Sequence, residues 1–421
     1  MLTKLKPKSE FSKNVLTLMT GTTIAQAIPI AISPILTRIY TPEDFGVFAL
    51  YLSLVSILAV VVTGKYELAI MLPKKDNDAF HITVLSFILT LSISFLIFLI
   101  ILFYHDFFLS LFENKNISIW LYFIPLSTFL IGTYNSLNYW VNRKKYYKDI
   151  AVNKIVQTSS TGVTNIAIGY WNILSMGGMI FGQIIGQVIG LVSFLKKFII
   201  DVKYYRLSHL KLIAFVKKYK SFPFNSIPSS LVNAVYNNGK FLILGIVFTS
   251  GIVGQLYLAF RVLMMPVSII SNSIANILFQ KTSVWKYTKT NKLQMWKSLK
   301  KVLFVLMTIA TFPSIIIYLY SESLFVFIFG DEWNLAGSFA SLLSIALFFQ
   351  FSITPFCKVF YTMEKQKLYL IWEVMRSILV FLPVVALGYM KIENNIIIFT
   401  MSISISVSYL VLLIFLRGIL K

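Results

Sequence analysis

The sequence predicts an all-α polytopic membrane protein of twelve transmembrane helices, arranged in two pseudo-symmetric six-helix lobes with both termini in the cytoplasm. Three observations lead there. Hydrophobic residues make up 57% of the chain and charged residues 13%, which leaves too little polar sequence for a separate soluble domain. Twelve apolar segments follow one another, each long enough to cross a ~30 Å hydrocarbon core at ~1.5 Å per residue. The connections between them alternate between crowded with Lys and Arg and nearly free of them.

In chain order, the first span, about 14–40, carries Thr20, Thr22, Thr23, Gln26, Pro29 and Pro34 and is polar and proline-interrupted. It exceeds a signal peptide's apolar run and lacks a small-residue cleavage site. The second, about 45–71, holds Lys65 and Glu67 near its inner end; the third and fourth cover about 80–104 and 117–141. The fifth, about 149–171, begins near Lys154, and the sixth runs about 173–195. Lys196–Ser221 then contains Tyr204, Tyr205 and the apolar run Leu210–Val216, the pattern of an amphipathic interfacial helix. The seventh, about 222–248, carries Pro223 and Pro228 and then Asn225, Asn233, Tyr236, Asn237, Asn238 and Lys240, as a bent, cavity-lining helix would. The eighth, about 252–280, carries Arg261, the ninth and tenth cover about 301–320 and 334–357, and the eleventh, about 368–390, carries Glu373 and Arg376 before the last at about 394–417. The domains are then 1–200, a cytoplasmic amphipathic linker at 201–221, and 222–421.

Of the 38 Lys and Arg, 30 fall at the N-terminus, the even-numbered connections and the C-terminus. The opposite loops hold only Lys115 and Lys391, and six basic residues lie within spans. The net charge of +22 is therefore a topology signal that also attracts anionic lipid, and it does not point to nucleic acid.

Catalytic chemistry has few convergent groups. His81, His105 and His209 occupy three different connections, so no metal site is expected. A phosphate-binding Gly-rich loop is absent from the sequence, and Cys357 is a lone thiol with the reading of an inert buried group. The acidic pairs Glu43–Asp44 and Asp331–Glu332 could serve a membrane polymerase, but exterior loops tolerate acids without any such role.

Charge inside the spans is more telling, since a mid-span ion costs roughly 2.5–3.5 kcal/mol on insertion scales. Arg38, Lys65, Glu67 and Lys154 lie near span ends and could snorkel to an interface. Lys240, Arg261 and Arg376 lie about nine residues or more from an end, beyond that reach. Three of the six arginines are intramembrane against 3 of the 32 lysines. A guanidinium grips phosphate oxygens bidentately, which suits an anionic, phosphate-bearing substrate. Asn233, Asn237 and Tyr236 offer what sugar hydroxyls and ring faces need, although small and polar residues also join transmembrane helices. An internal repeat at an offset of 208 aligns Leu36–Gly46 with Leu244–Gly254, matching Thr41 with Thr249 and Gly46 with Gly254.

Lys13-Asn14-Val15 through Gly21, Leu36-Thr-Arg-Ile-Tyr-Thr-Pro-Glu-Asp-Phe-Gly46, Lys65-Tyr-Glu-Leu-Ala-Ile70 and Phe329-Gly-Asp-Glu-Trp333 resemble a polysaccharide flippase of the multidrug/oligosaccharidyl-lipid/polysaccharide (MOP) exporter superfamily, of the Wzx type. The resemblance covers nearly the whole chain. It implies two lobes that open alternately to either side of a bacterial inner membrane. The cargo implied is an undecaprenyl-pyrophosphate-linked oligosaccharide, such as an O-antigen or capsule repeat unit, carried to the periplasmic leaflet, with membrane lipids and polysaccharide-assembly proteins as partners. Substrate binding then falls to Arg38, Lys65, Lys240, Arg261 and Arg376 with Asn233, Tyr236 and Asn237. Glu67 and Glu373 are the intramembrane acids able to carry a proton or sodium cycle. No cofactor or metal is implied, and the chain is not expected to be an enzyme. Two readings stay open beside this one: a cation-coupled small-molecule exporter of the same superfamily, and a membrane glycan polymerase or ligase.

Overall fold

The computed structural model describes residues 10–112, 117–173, 177–288 and 291–420, so Lys115 and the basic residues ahead of Glu10 lie outside the described residues. All regular structure among the described residues is helical. The helices are α1 (Glu10–Leu36), α2 (Pro42–Leu58), α3 (Asp76–Phe103), α4 (His105–Phe112), α5 (Ser118–Leu121), α6 (Ile124–Arg143), α7 (Tyr147–Tyr170) and α8 (Gly178–Val202). They continue with α9 (His209–Lys218), α10 (Ser221–Val247), α11 (Ser250–Tyr287), α12 (Lys292–Phe329), α13 (Asn334–Ile353), α14 (Cys357–Thr362), α15 (Gln366–Tyr389) and α16 (Asn394–Ile419).

Eight helical stretches among the described residues are long and apolar enough to cross a membrane. They are Thr17–Leu36, Asp76–Phe103, Gly178–Val202, Ser250–Trp285, Lys292–Phe329, Asp331–Thr362, Gln366–Tyr389 and Asn394–Ile419. The chain is thus an all-α, multi-pass membrane protein, since only helices that satisfy their own backbone groups, or closed barrels, can span lipid. The second apolar segment differs from a continuous span. Helix α2 stops at Leu58, turns carry the chain to two consecutive left-handed residues, Gly64 and Lys65 (φ 60° each), and a short 3₁₀ helix covers Tyr66–Met71.

Two compact units make up the chain. The first comprises the described residues up to Tyr40 with Val47–Leu242, and the second comprises Thr41–Gly46 with Ile243 onward.

In the first unit, α7 and α8 meet along a seam written in both sequences at intervals of four. A Cβ on Gly182 would strike the Asn165 side chain, one on Gly186 the Thr161 hydroxyl, and one on Gly190 would crowd Gln157 at 3.2 Å. The glycine stripe of α8 therefore lets the polar stripe Asn153, Gln157, Thr161, Asn165 of α7 approach its backbone, where Asn153 Nδ2 donates to the Gly190 carbonyl at 2.8 Å. Without a hydrophobic drive between helices in lipid, close van der Waals approach and such hydrogen bonds hold the pair.

In the second unit the repeated turn packs on itself. A Cβ on Gly46 would strike the Ser250 carbonyl, and one on Gly254 would strike the Pro42 carbonyl. These contacts exchange under the 208-residue offset, as a two-fold pseudo-symmetric crossing of the first turns of α2 and α11 requires. Phe45 then stands edge-on to the fully buried Trp333, with ring centroids 4.8 Å apart. Gln255 ties both sides of Trp333, donating to the Glu332 carbonyl at 2.6 Å and accepting from the Ala336 N–H at 2.9 Å. The motifs that carry the family resemblance, Thr41–Gly46 and Phe329–Trp333, thus converge on one packing knot.

Candidate functional site

The buried charges of the first unit gather at the broken second segment. Gly64 has the φ that glycine tolerates, and a Cβ there would also press on the Tyr66 ring at 3.1 Å. Lys65 adopts the same left-handed conformation with a side chain, at a cost of ~1–2 kcal/mol. That twist places Lys65 Nζ 3.8 Å from Glu67 Oε1. Glu67 is 4% exposed, and its Oε2 is buried with no hydrogen-bond partner. Of the pair, Glu67 is buried and Lys65 half-buried. On the side toward α6, Arg143 donates to the Ile70 carbonyl at 3.2 Å and to Asp76 at 2.9 Å, clamping the 3₁₀ segment to its neighbours.

The second unit presents its buried charge on regular helix. Glu373 and Arg376, 5% and 6% exposed, lie one turn apart on α15. The Arg376 guanidinium sits 4.2 Å from the Trp372 ring centroid, a cation–π contact in a desolvated setting. Trp372 is itself fully buried and donates its Nε1–H to the Ser408 carbonyl at 2.7 Å. Tyr369 and Tyr409 complete the aromatic wall, with centroids 5.5 and 5.6 Å from that of Trp372.

Arg38 is exposed in the turn after α1, within the first unit. On α10, in the same unit, Asn237 Nδ2 donates to the Asn233 side chain at 2.8 Å; both are exposed, and Tyr236 and Lys240 are half-buried. Lys240 Nζ lies 5.1 Å from the Phe241 ring. Lys154 is half-buried and reaches Thr22 of α1 at 3.5 Å. Arg261, in the second unit, is half-buried with its guanidinium 6.0 Å from the Tyr257 ring. Local structure therefore joins Lys65 to Glu67, Asn233 to Asn237, and Glu373 to Arg376 on one turn. Arg38 and Lys240 belong to the first unit, Arg261 to the second.

The acids offered for polymerase chemistry have other surroundings. Asp44 is buried and accepts the Thr41 N–H at 2.9 Å and the Thr41 hydroxyl at 3.1 Å, as a capping group does, while Asp331 and Glu332 are exposed. Cys357, the first residue of α14, is half-buried as a whole residue. Among the described residues no group of three or more His, Cys, Asp or Glu is placed to hold a metal. A cavity of about 290 Å³ in the second unit, lined by Pro266 of α11, Pro313 of α12 and Phe351 of α13 among others, is almost wholly apolar and offers little to a sugar or phosphate.

Sequence reasoning missed the left-handed Gly64–Lys65 step and the ring under Arg376. The second had a signal, because Trp372 stands four residues before Arg376 and so shares its helix face.

The family described as "Polysaccharide biosynthesis protein" matches residues 35–337, well over half the chain. Among solved structures, a multidrug resistance MATE family transporter of the MOP superfamily in its inward-facing conformation is similar at a TM-score of 0.71 and 14% identity, covering 96% of this chain and 94% of that one. The lipid II flippase MurJ in an inward closed conformation is similar at 0.72 and 13%, covering 96% and 87%. A MOP superfamily transporter from Pyrococcus furiosus, described by a reverse polarity of its binding pocket, is similar at 0.61 and 12%, covering 97% and 95%. At such identities the likeness establishes the fold. No curated protein matches the chain.

Proposed function

Because the chain belongs to the polysaccharide biosynthesis protein family and has the fold of the MOP-superfamily transporters, we propose that it is a flippase for undecaprenyl-pyrophosphate-linked oligosaccharide. It moves the repeat unit from the cytoplasmic to the periplasmic leaflet of a bacterial inner membrane by alternating access. Its lobes, 1–200 and 222–421, hold six spans each when α2, α6, α7 and α10 are counted with the eight stretches above, although the compact units divide within α10, at Leu242, and leave Lys240 with the first. Helix α2 falls short by length alone, at 17 residues, while α6, α7 and α10 carry the polar side chains that walls of an aqueous cavity need.

The observation that carries the reading is buried positive charge in apolar helices, with Arg376 at 6% exposure as its clearest case. In a membrane such a charge is retained for a partner. In this mechanism Arg376, Arg261 and Lys240, with Arg38 and Lys65, neutralise the pyrophosphate, and Asn233, Asn237 and Tyr236 meet the glycan. The polyprenyl tail stays in lipid. Glu67 and Glu373 carry the proton or sodium cycle where transport is coupled. A specific observation favours a second reading, a cation-coupled small-molecule exporter: both carboxylates are buried, and the solved structures of this fold include multidrug transporters.

The test is transfer of a fluorescent polyprenyl-pyrophosphate oligosaccharide between leaflets of proteoliposomes. The Lys240→Ala, Arg261→Ala, Arg376→Ala triple variant, verified as folded, is expected to lose at least about tenfold in rate, since hydrogen bonds to charged groups contribute ~1.5–3 kcal/mol each. Absence of wild-type transfer, with gradients imposed and several glycans tried, would move the assignment to the exporter. Full activity after Glu67→Gln with Glu373→Gln would remove the coupling role.

A further inference from the structure

Helix α9 has ten residues, too few to be stable alone in water. It is fastened at both ends by side chains of the first unit. At its start, Ser208 donates its backbone N–H to Nε2 of His81 at 3.1 Å, while His81 Nδ1 stands 2.6 Å from the Asn77 carbonyl. This arrangement fixes a neutral imidazole whose Nδ1 carries the proton. At its end, where helix carbonyls lack intrahelical partners, the Val216 carbonyl accepts the Tyr66 hydroxyl at 3.1 Å. Between them Lys211 pairs with Asp78 at 2.9 Å, and Leu212 is buried. Tyr66 stands between Lys65 and Glu67, so the strap is bonded directly to the turn that carries the buried ion pair.

The outward face is built differently. Leu210 is 81% exposed and Ile213 56%, and the exposed Lys217 and Lys218 follow on the last turn. From Lys196 to Ser221 there are eight Lys and Arg against the single acid Asp201. The strap begins where α8, one of the spanning helices, ends at Val202. Exposed apolar groups close after the end of a spanning helix, beside the exposed Lys217 and Lys218, match an anionic leaflet on both counts.

We infer that the outward face of α9 docks on the anionic phospholipid leaflet of the membrane that the chain spans, and that the Tyr66–Val216 hydrogen bond transmits this docking to the Lys65–Glu67 turn. The inference holds whatever the cargo is.

Amide hydrogen exchange of the full chain in nanodiscs tests it, with phosphatidylcholine alone compared with phosphatidylcholine plus phosphatidylglycerol. Anionic lipid is expected to slow exchange by about tenfold in 209–218 and also in 65–71, and high salt to reverse the effect. Leu210→Ser with Ile213→Ser, which touches the outward face only, should abolish both responses. Tyr66→Phe should keep the first response and lose the second, with α6 and α8 in the same data reporting that the variant is folded. Equal exchange in the two lipids, or slowing that follows protein density and not lipid charge, overturns the docking. A Tyr66→Phe protein that still responds in 65–71 overturns the transmission.

Discussion

Glu67 and Glu373 are both buried to within about 5% of complete enclosure, each with a basic residue close by in sequence, yet the backbone beneath them is unlike. Glu67 meets Lys65 across two residues, a spacing that faces opposite ways on an α-helix. The contact exists because Gly64 and Lys65 turn left-handed and α2 has already stopped. Glu373 precedes Arg376 by three residues on unbroken α15, and the arginine is shelved on Trp372. One site depends on a backbone exception that stores strain, the other on helix periodicity and an aromatic floor. Strain of that kind persists only where surrounding structure enforces it. The comparison therefore sets a left-handed turn, held in place by the Arg143 clamp, against a regular helix on an aromatic floor.

The largest effect expected lies in the helical site on α15. Trp372→Ala should cost about 3–5 kcal/mol, read as a fall in thermal unfolding midpoint, because a fully buried indole and its hydrogen bond to Ser408 are lost together. Near-wild-type stability would mean that α15 is not held by this floor, and the contrast would fail. In the other site, Gly64→Ala should cost about 1–2 kcal/mol, the usual price of a side chain at positive φ. The double change Lys65→Gly with Glu67→Gln should instead raise stability by about 1 kcal/mol, since it removes the strain and the buried charge together, while transport falls. Lower stability in that variant would show that the pair is structural.

The smallest effect is with pH, at the clamp beside the left-handed turn. Burial works against the Lys144 ammonium, but the hydrogen bond and charge of Asp76, 2.6 Å away, outweigh it and hold its pKa above the ordinary 10.5. A raised folded-state pKa means that this stabilisation is complete below about 10.5 and is lost as pH rises through the folded value. Unfolding midpoints followed from pH 9 upward should fall more steeply for wild type than for Asp76→Asn.

Much of this molecule could be read from composition and spacing. Apolar segments of membrane length fix helices wherever lipid surrounds the backbone, because an unsatisfied peptide group there costs more than any loop can return. The buried charges Arg376 and Glu373 stood out within an apolar span for the same reason. The repeat at 208 was legible too, and the reciprocal contacts of Gly46 and Gly254 give it a physical basis, because only residues without a Cβ let two helix starts cross so closely. What hydropathy could not supply was the break after Leu58. The residues from Ala59 to Val62 are as apolar as any span, and Gly64 alone marks the turn. Nor could it show that His81 and Tyr66 cap the two ends of α9, since those bonds join residues more than a hundred positions apart. Periodicity is a property of neighbours along the chain and so was written in the sequence. The left-handed step at Lys65, the burial of Glu67 and the fastening of α9 depend on which distant groups the fold delivers to them, and only the tertiary structure decided that.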